Sequence, residues 1–329
     1  MKRRLVPLVV ALGTVVGLFM VIQPAQVVSA LRGVDLRLVG AALLATAAFY
    51  TVQGLRWHFL LREAGVRLAV HESVLINLAG QTVTAVLPLG DLTRALFASE
   101  ATGAPFGAAA AAVTVQELTF TSLLILSATP ALLGVPGGWL LTLVVLGGVV
   151  GALLILIMPG FYRPVRALLG RIPLVRRGAG QIDTLRQQTM TLLTRPVAML
   201  SGIIDLARVA LAAVTLDLIL GAMGVRIGWW PVVLAVAVAY LGGAISFLPG
   251  GIGANEVTVI GVLSGFGVGH GQAVAAALLE RIALTGVPAV VGLLAYVAIH
   301  RRLHLGGLIA APRAARVASA GAGACEAAA

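Results

Sequence analysis

The chain has 329 residues, 60% of them hydrophobic and 11% charged, with a formal charge of +11. That balance excludes a soluble domain of this length and leaves a polytopic helical membrane protein. Lys2 is the only lysine, so the charge is nearly all arginine, and its placement reads as a positive-inside bias and not as a nucleic-acid surface.

Lys2, Arg3 and Arg4 precede an apolar run over 5–22. Val28, Ser29 and Ala30 would suit signal cleavage, but roughly 18 apolar residues exceed the ~7–15 of a signal core, so an uncleaved first span is expected. A second span is expected over 38–61, with Arg56, Trp57 and His58 towards one end; His58, Trp57, Trp229 and Trp230 read as interfacial anchors. The segment 73–89 is apolar but short, and ends in Leu87-Pro88-Leu89-Gly90-Asp91-Leu92-Thr93-Arg94. Spans at 107–134 and 139–158 follow, joined by Val135-Pro136-Gly137-Gly138.

Residues 160–196 form a basic loop in which Arg163, Arg166, Arg171, Arg176, Arg177, Arg186 and Arg195 face one acid, Asp183. Ile182, Leu185, Thr189 and Leu192 recur there at helical spacing, which predicts a helix on the membrane surface. A span is expected at 197–222, a broken apolar region at 230–266 and a last span at 272–299. The Ala/Gly tail reads as disordered and holds the only cysteine, Cys325. The organisation is thus a first half over 1–159, a cytoplasmic loop over 160–196, a second half over 197–305 and a tail over 306–329.

The break at 248–256 reads Leu248-Pro249-Gly250-Gly251-Ile252-Gly253-Ala254-Asn255-Glu256. Proline removes a backbone donor, and three glycines in five residues remove the side chains that favour helix. At membrane depth such a break is tolerated only inside protein or beside a wet cavity, which predicts a polar site there. Basic segments then constrain topology. If 73–99 and 230–266 are re-entrant hairpins from opposite faces, every arginine-rich stretch and both termini fall on the cytoplasmic side. A full span at either place breaks that pattern.

The two Leu-Pro breaks also look like a repeat, each followed about thirty residues on by a helical glutamate, Glu117 and Glu280. The expected fold is an all-α polytopic membrane protein, with about six full transmembrane helices plus two re-entrant hairpins in an inverted repeat.

Ionisable residues at membrane depth mark a cavity or a partner. Asp91 and Arg94 share a helical face and can pair or cap a half-helix, a structural role weighed equally with a functional one. Glu117 has no charge at helical spacing on its own helix, and Arg281 of the matching helix is its expected partner. Gly250, Gly251 and Gly253 expose amides at a helix start, where Asn255 and Glu256 complete a candidate substrate site. Adjacent Glu280 and Arg281 point in different directions, implying two partners. Asp205 and Arg208 read as a structural pair, and Asp217 as solvent-reachable near a helix end. No metal-ligand spacing, nucleotide motif, cofactor motif or catalytic constellation is present in the sequence, so a non-enzymatic protein is expected.

Leu248 to Gly253 leading to Glu256, the later Arg281, and Leu87 to Asp91 with Arg94 resemble the membrane domain of bacterial lysylphosphatidylglycerol synthases, which also occurs alone in flippase-like proteins. The resemblance covers about residues 5–300. In the full-length synthases this domain moves an aminoacylated phospholipid between leaflets and a separate cytosolic domain makes it. For this chain the resemblance implies a bacterial inner-membrane lipid mover without the maker, whose substrate need not be aminoacylated. Stand-alone relatives extend the implied substrates to polyprenyl-linked sugars and hopanoids. One departure bears on headgroup specificity: many relatives carry arginine after the glutamate of the fourth span, whereas Leu118 follows Glu117 here. Lipid movement through a polar cavity between the halves is therefore expected, downhill or ion-coupled because no ATP site is present. The alternative is a non-transporting accessory subunit that binds a lipid or a membrane enzyme such as a glycosyltransferase; under either function the chain could form an oligomer. Small-residue faces at 108–112 and 273–277 would allow such packing but equally suit packing within the chain.

Overall fold

The computed structural model describes residues 29, 31–85, 90–169, 179–246 and 249–300. Those residues form helices and turns, with no strand among them. The expected first span, Leu87, Pro88 and Leu89 of the first break, Leu248 of the second, and the tail lie outside the described residues.

Helix α1 (Leu36–Glu63) starts where the Asp35 carboxylate accepts the Arg37 N–H at 2.9 Å, satisfying a donor that the first turn leaves open. Its 28 residues extend about 42 Å, enough to cross a bilayer. Helix α2 (Val70–Thr84) has 15 residues, about 22 Å, which falls short of the ~30 Å hydrocarbon core. Helix α3 (Leu92–Thr102) folds back against it and stops at Gly103, whose φ of 69° suits glycine. A methyl on Gly90 would lie 2.4 Å from the Thr84 Cα, so the reversal is too tight for a side chain.

Helices α4 (Phe106–Leu133) and α5 (Gly138–Ile157) follow, then α6 (Pro159–Leu169), α7 (Ala179–Leu193), the short α8 (Pro196–Leu200) and α9 (Ile203–Ala222). Helix α10 (Trp229–Ser246) leads through a 3-10 turn at Pro249–Gly251 to α11 (Ala254–Gly265). The chain closes with α12 (His270–Arg281), a π turn at Ile282–Gly286 and α13 (Val287–His300). Among the described residues, four stretches are long and apolar enough to cross a membrane: Leu36–Glu63, Phe106–Leu133, Gly138–Ile157 and His270–His300.

Chain direction fixes two ends of the molecule. Gln116 donates to the Gln53 carbonyl at 2.7 Å and Phe120 packs edge-on to Phe49, so α4 runs antiparallel to α1. The Asp35 N–H reaches the Ala222 carbonyl at 3.0 Å, and Gln272 approaches the Met223 carbonyl at 3.5 Å. One end therefore gathers the start of α1, the end of α9 and the start of α12. The hairpin α10–α11 starts and finishes at this end, with Val268 and Leu263 in the same apolar cluster as Leu220. The hairpin α2–α3 starts and finishes at the other end, where Leu60, Val66, Phe97, Ala109 and Leu192 share a second cluster.

Packing between these parts is reciprocal: α1 lies on α9, α2 lies on α13 and α10 lies on α4. At the α2–α13 crossing, a methyl on Gly292 would stand 2.1 Å from the Leu78 carbonyl oxygen, so only glycine allows that approach.

Two expected elements differ. The span at 197–222 is divided at Ser201 and Gly202, because Arg56 donates to the Ala198 carbonyl at 2.8 Å and to the Ser201 hydroxyl, using groups at the end of α8. The helix at 179–193 is not simply laid on the surface: Leu185 and Leu192 join the second cluster, and Gln188 touches the position where Gly107 would carry a methyl. It packs on the first turns of α4, which are built of small residues.

Candidate functional site

The first group of buried charges is a row of alternating sign. Arg56 donates its Nε to Asp205 Oδ2 at 3.2 Å, and Arg208 meets Asp205 Oδ1 at 3.1 Å, one turn along α9. Thr119 adds a hydroxyl to Asp205 Oδ2 at 2.6 Å. Arg208 also lies 3.9 Å from Glu117 Oε1, which is held at 2.7 Å by Arg94. Arg94 stands 3.8 Å from Asp91 and donates to Asn77 Oδ1 at 2.7 Å. Three arginines thus face three carboxylates, and removing one partner would strand a buried charge.

Exposure within this row is uneven. Arg56, Arg94, Arg208 and Asp205 are sealed, whereas the side chains of Glu117 and Asp91 are 33% and 36% exposed. Aromatic rings help bury the arginines: Arg208 sits 4.0 Å over Phe120 and Arg94 sits 5.7 Å over Trp57.

The second group lies at the other break. Gly250, Gly251 and Gly253 have φ of 57°, 67° and 88°, a left-handed run that β-carbons disfavour. The turn delivers the Gly253 N–H to Glu256 Oε2 at 2.6 Å, capping α11. The other oxygen of Glu256 faces Arg281 Nε at 3.4 Å, and the Arg281 side chain is 16% exposed. Asn255, next to this pair in the first turn, buries its Oδ1 without a hydrogen-bond partner among the described residues. Glu280 is buried at 2% exposure.

The two groups approach each other through backbone. A methyl on Gly250 would lie 2.7 Å from the Ala85 carbonyl oxygen and 2.9 Å from the Arg281 guanidinium. The end of α2 and the glycine turn after α10 therefore meet tip to tip, with Arg281 at the junction.

Several expectations change. Glu117 is partnered by Arg94 and Arg208, not by Arg281, which α12 turns towards Glu256. Trp57 and His58 are buried, not interfacial anchors: Trp57 lies beneath Arg94, and His58 Nδ1 is 3.0 Å from the Ser73 hydroxyl. Trp229 and Trp230 are exposed. The Asp91–Arg94 and Asp205–Arg208 pairs form as expected, and Asp217 is half-exposed, 3.7 Å from Arg226.

Arg56, Asn77, Gln53 and Gln116 are additional members of the buried network. Arg56 was discoverable from its place inside the second apolar span. The amides carry no charge and left no comparable signal. A surface hollow of about 410 Å³, lined by His58, Arg62, Arg67, Leu68, Ala69 and Val70, contains none of the candidate residues. No group of metal-ligating side chains occurs among the described residues.

Apolar helices long enough to span, two helical hairpins broken by tight turns and sequestered charges define an all-α membrane protein with a polar interior. Residues 5–292 match the lysylphosphatidylglycerol synthase TM region, and the chain belongs to that family. It is thus a membrane domain related to lipid handling. No curated protein matches the chain.

Proposed function

We propose that this chain moves a phospholipid or a lipid-linked headgroup between leaflets, acting as a transporter and not as an enzyme. The observation that carries the reading is the tip-to-tip meeting of the two breaks at Gly250, Ala85 and Arg281. In this reading α2–α3 and α10–α11 are re-entrant hairpins from opposite faces, and the reciprocal packing is that of inverted halves. Each half then brings an interrupted helix to mid-depth, where Arg281, released from Glu256, replaces the water around a headgroup phosphate. Acyl chains stay in lipid while the headgroup passes between Arg281 and the exposed carboxylates of Glu117 and Asp91. In this reading the described arginines Arg62, Arg67, Arg163, Arg166, Arg186 and Arg195 face the cytoplasm, consistent with a bacterial inner membrane.

The test is lipid movement in proteoliposomes, read with headgroup-labelled fluorescent lipids and an impermeant quencher. Wild type should exceed empty liposomes. Arg281→Ala should lose on the order of 10- to 100-fold, the equivalent of one charge-assisted hydrogen bond. Movement at the wild-type rate in a folded Arg281→Ala protein would remove this site.

A further inference from the structure

Counting charge separates the two polar groups. In the row from Arg56 to Asp91, three guanidinium groups balance three carboxylates. At the second break, two carboxylates, Glu256 and Glu280, stand with one cation among the described residues, Arg281. Arg281 is committed to Glu256 at 3.4 Å, and its neighbour Glu280 projects about 100° away around the helix. Among the described residues, no ion pair or hydrogen bond is formed to the Glu280 carboxylate.

Among the described residues, the surroundings offer no second cation. Arg281 on its own helix and Glu256 on α11 are the charged groups facing Glu280, and Tyr240 of α10 lies within electrostatic reach. From α9, Asp205 and Arg208 are engaged with Arg56 and Glu117, and Asp217 faces Arg226. The π turn Ile282–Gly286 has no ionisable side chain, and His300 sits at the far end of α13, against Tyr296. A lone ionised carboxylate is strongly disfavoured at membrane depth. A metal cation is not favoured, because no cluster of ligating side chains occurs among the described residues.

We propose that Glu280 holds an exchangeable proton and that its loss and recovery couple lipid movement to the proton gradient. The balance is simple: the protonated carboxyl gives H⁺ to water on one side as the headgroup leaves or arrives, and takes H⁺ from the other side on return. No bond other than O–H changes. The π turn directly after Arg281 supports the assignment, since such turns concentrate at functional sites and give the helix a place to shift. It already diverts the Leu284 carbonyl to the Tyr50 hydroxyl at 2.5 Å. The coupling rests on the transport reading above, whereas the proton on Glu280 does not.

Two measurements keep those statements apart. Infrared spectroscopy of the full chain in nanodiscs at neutral pH should show a protonated-carboxyl band that Glu280→Gln removes. The same band should be lost in Glu256→Gln, because removing that negative charge leaves the Arg281 charge unbalanced near Glu280 and favours its ionised form. A band that persists in folded Glu280→Gln, or its absence from wild type, overturns the proton assignment; where Glu280→Gln does not fold, a band unchanged in Glu256→Gln overturns it instead. In proteoliposomes, wild type should build a leaflet asymmetry of about tenfold per pH unit of gradient, as one proton per lipid requires. Lipid movement that ignores the gradient would overturn the coupling. Absence of lipid movement would sink the transport reading and with it the coupling, while the infrared band would still decide the proton.

Discussion

At the scale of single residues, the row and the second group differ in what they can tolerate. Asp205 accepts from Arg56, Arg208 and Thr119 and is fully buried, so it holds α1, α4 and α9 together. Asp205→Ala would leave two buried guanidinium groups short of a partner, at a cost of roughly 3–5 kcal/mol. Thermal unfolding in detergent should show that loss, and unchanged stability would mean that the arginines find other acceptors. Glu117 shares Arg94 and Arg208 but is one-third exposed, so Glu117→Gln should cost less stability than Asp205→Ala while slowing lipid movement. Equal loss of stability in the two variants would place Glu117 with the scaffold.

Most of these residues were visible in the sequence because charge is rare in so apolar a chain. Their pairing was not visible. Residue spacing reveals partners one turn away, such as Asp205 and Arg208, but Glu117 meets Arg94 and Arg208 across helices whose rotation no periodicity encodes. Trp57 shows the converse: an aromatic beside an arginine near a span end matches an anchor in pattern, yet here it floors a buried cation.

At the scale of elements, glycine decides which helices approach. Gly292 lets α13 reach α2, and Gly292→Ala should destabilise by roughly 1–3 kcal/mol through overpacking, measured as a lower midpoint of thermal unfolding. An unchanged midpoint would mean that the two helices separate without cost. The short α2 and the glycine break after α10 were legible because length and composition limit what such segments can do. The division at Ser201 was not, because it depends on Arg56 arriving from another helix.

Outside the spans, α6 and α7 are tied by Arg166 and Tyr162, both donating to Asp183; Arg166 Nε is 2.8 Å from Oδ1 and the Tyr162 hydroxyl 2.5 Å from it. Hydrogen bonds from Arg166, then from Tyr162, hold the Asp183 carboxyl below its ordinary value. A lowered folded value means that the tie is present above the usual aspartate range and is lost as pH falls through that lower value. Spin labels on α6 and α7 should therefore keep their separation down to mildly acid pH and part only below about 4. Separation already at pH 6 would contradict it.

At the scale of the whole molecule, the hairpins begin and end at opposite ends, and α1 pairs with α9 as α2 pairs with α13 and α10 with α4. Single cysteines placed at residues 64–69 and 103–105, in a Cys325→Ser background, should be protected from an impermeant thiol reagent outside the cell. Those placed at 134–137 and 225–228 should react. Labelling of both sets from the same side would contradict the opposed arrangement.

The balance of the row has an electrical consequence. A charge crossing the membrane potential exchanges about 2.3 kcal/mol per 100 mV, so a scaffold with unmatched charge would be driven by voltage whenever it moved. Arg56, Arg94 and Arg208 with Asp91, Glu117 and Asp205 sum to zero, and displacing them together transfers no net charge across the field. The resting potential then exerts no net force on this row, and in the proposed cycle it would act on the headgroup and on Glu280 once its proton has left.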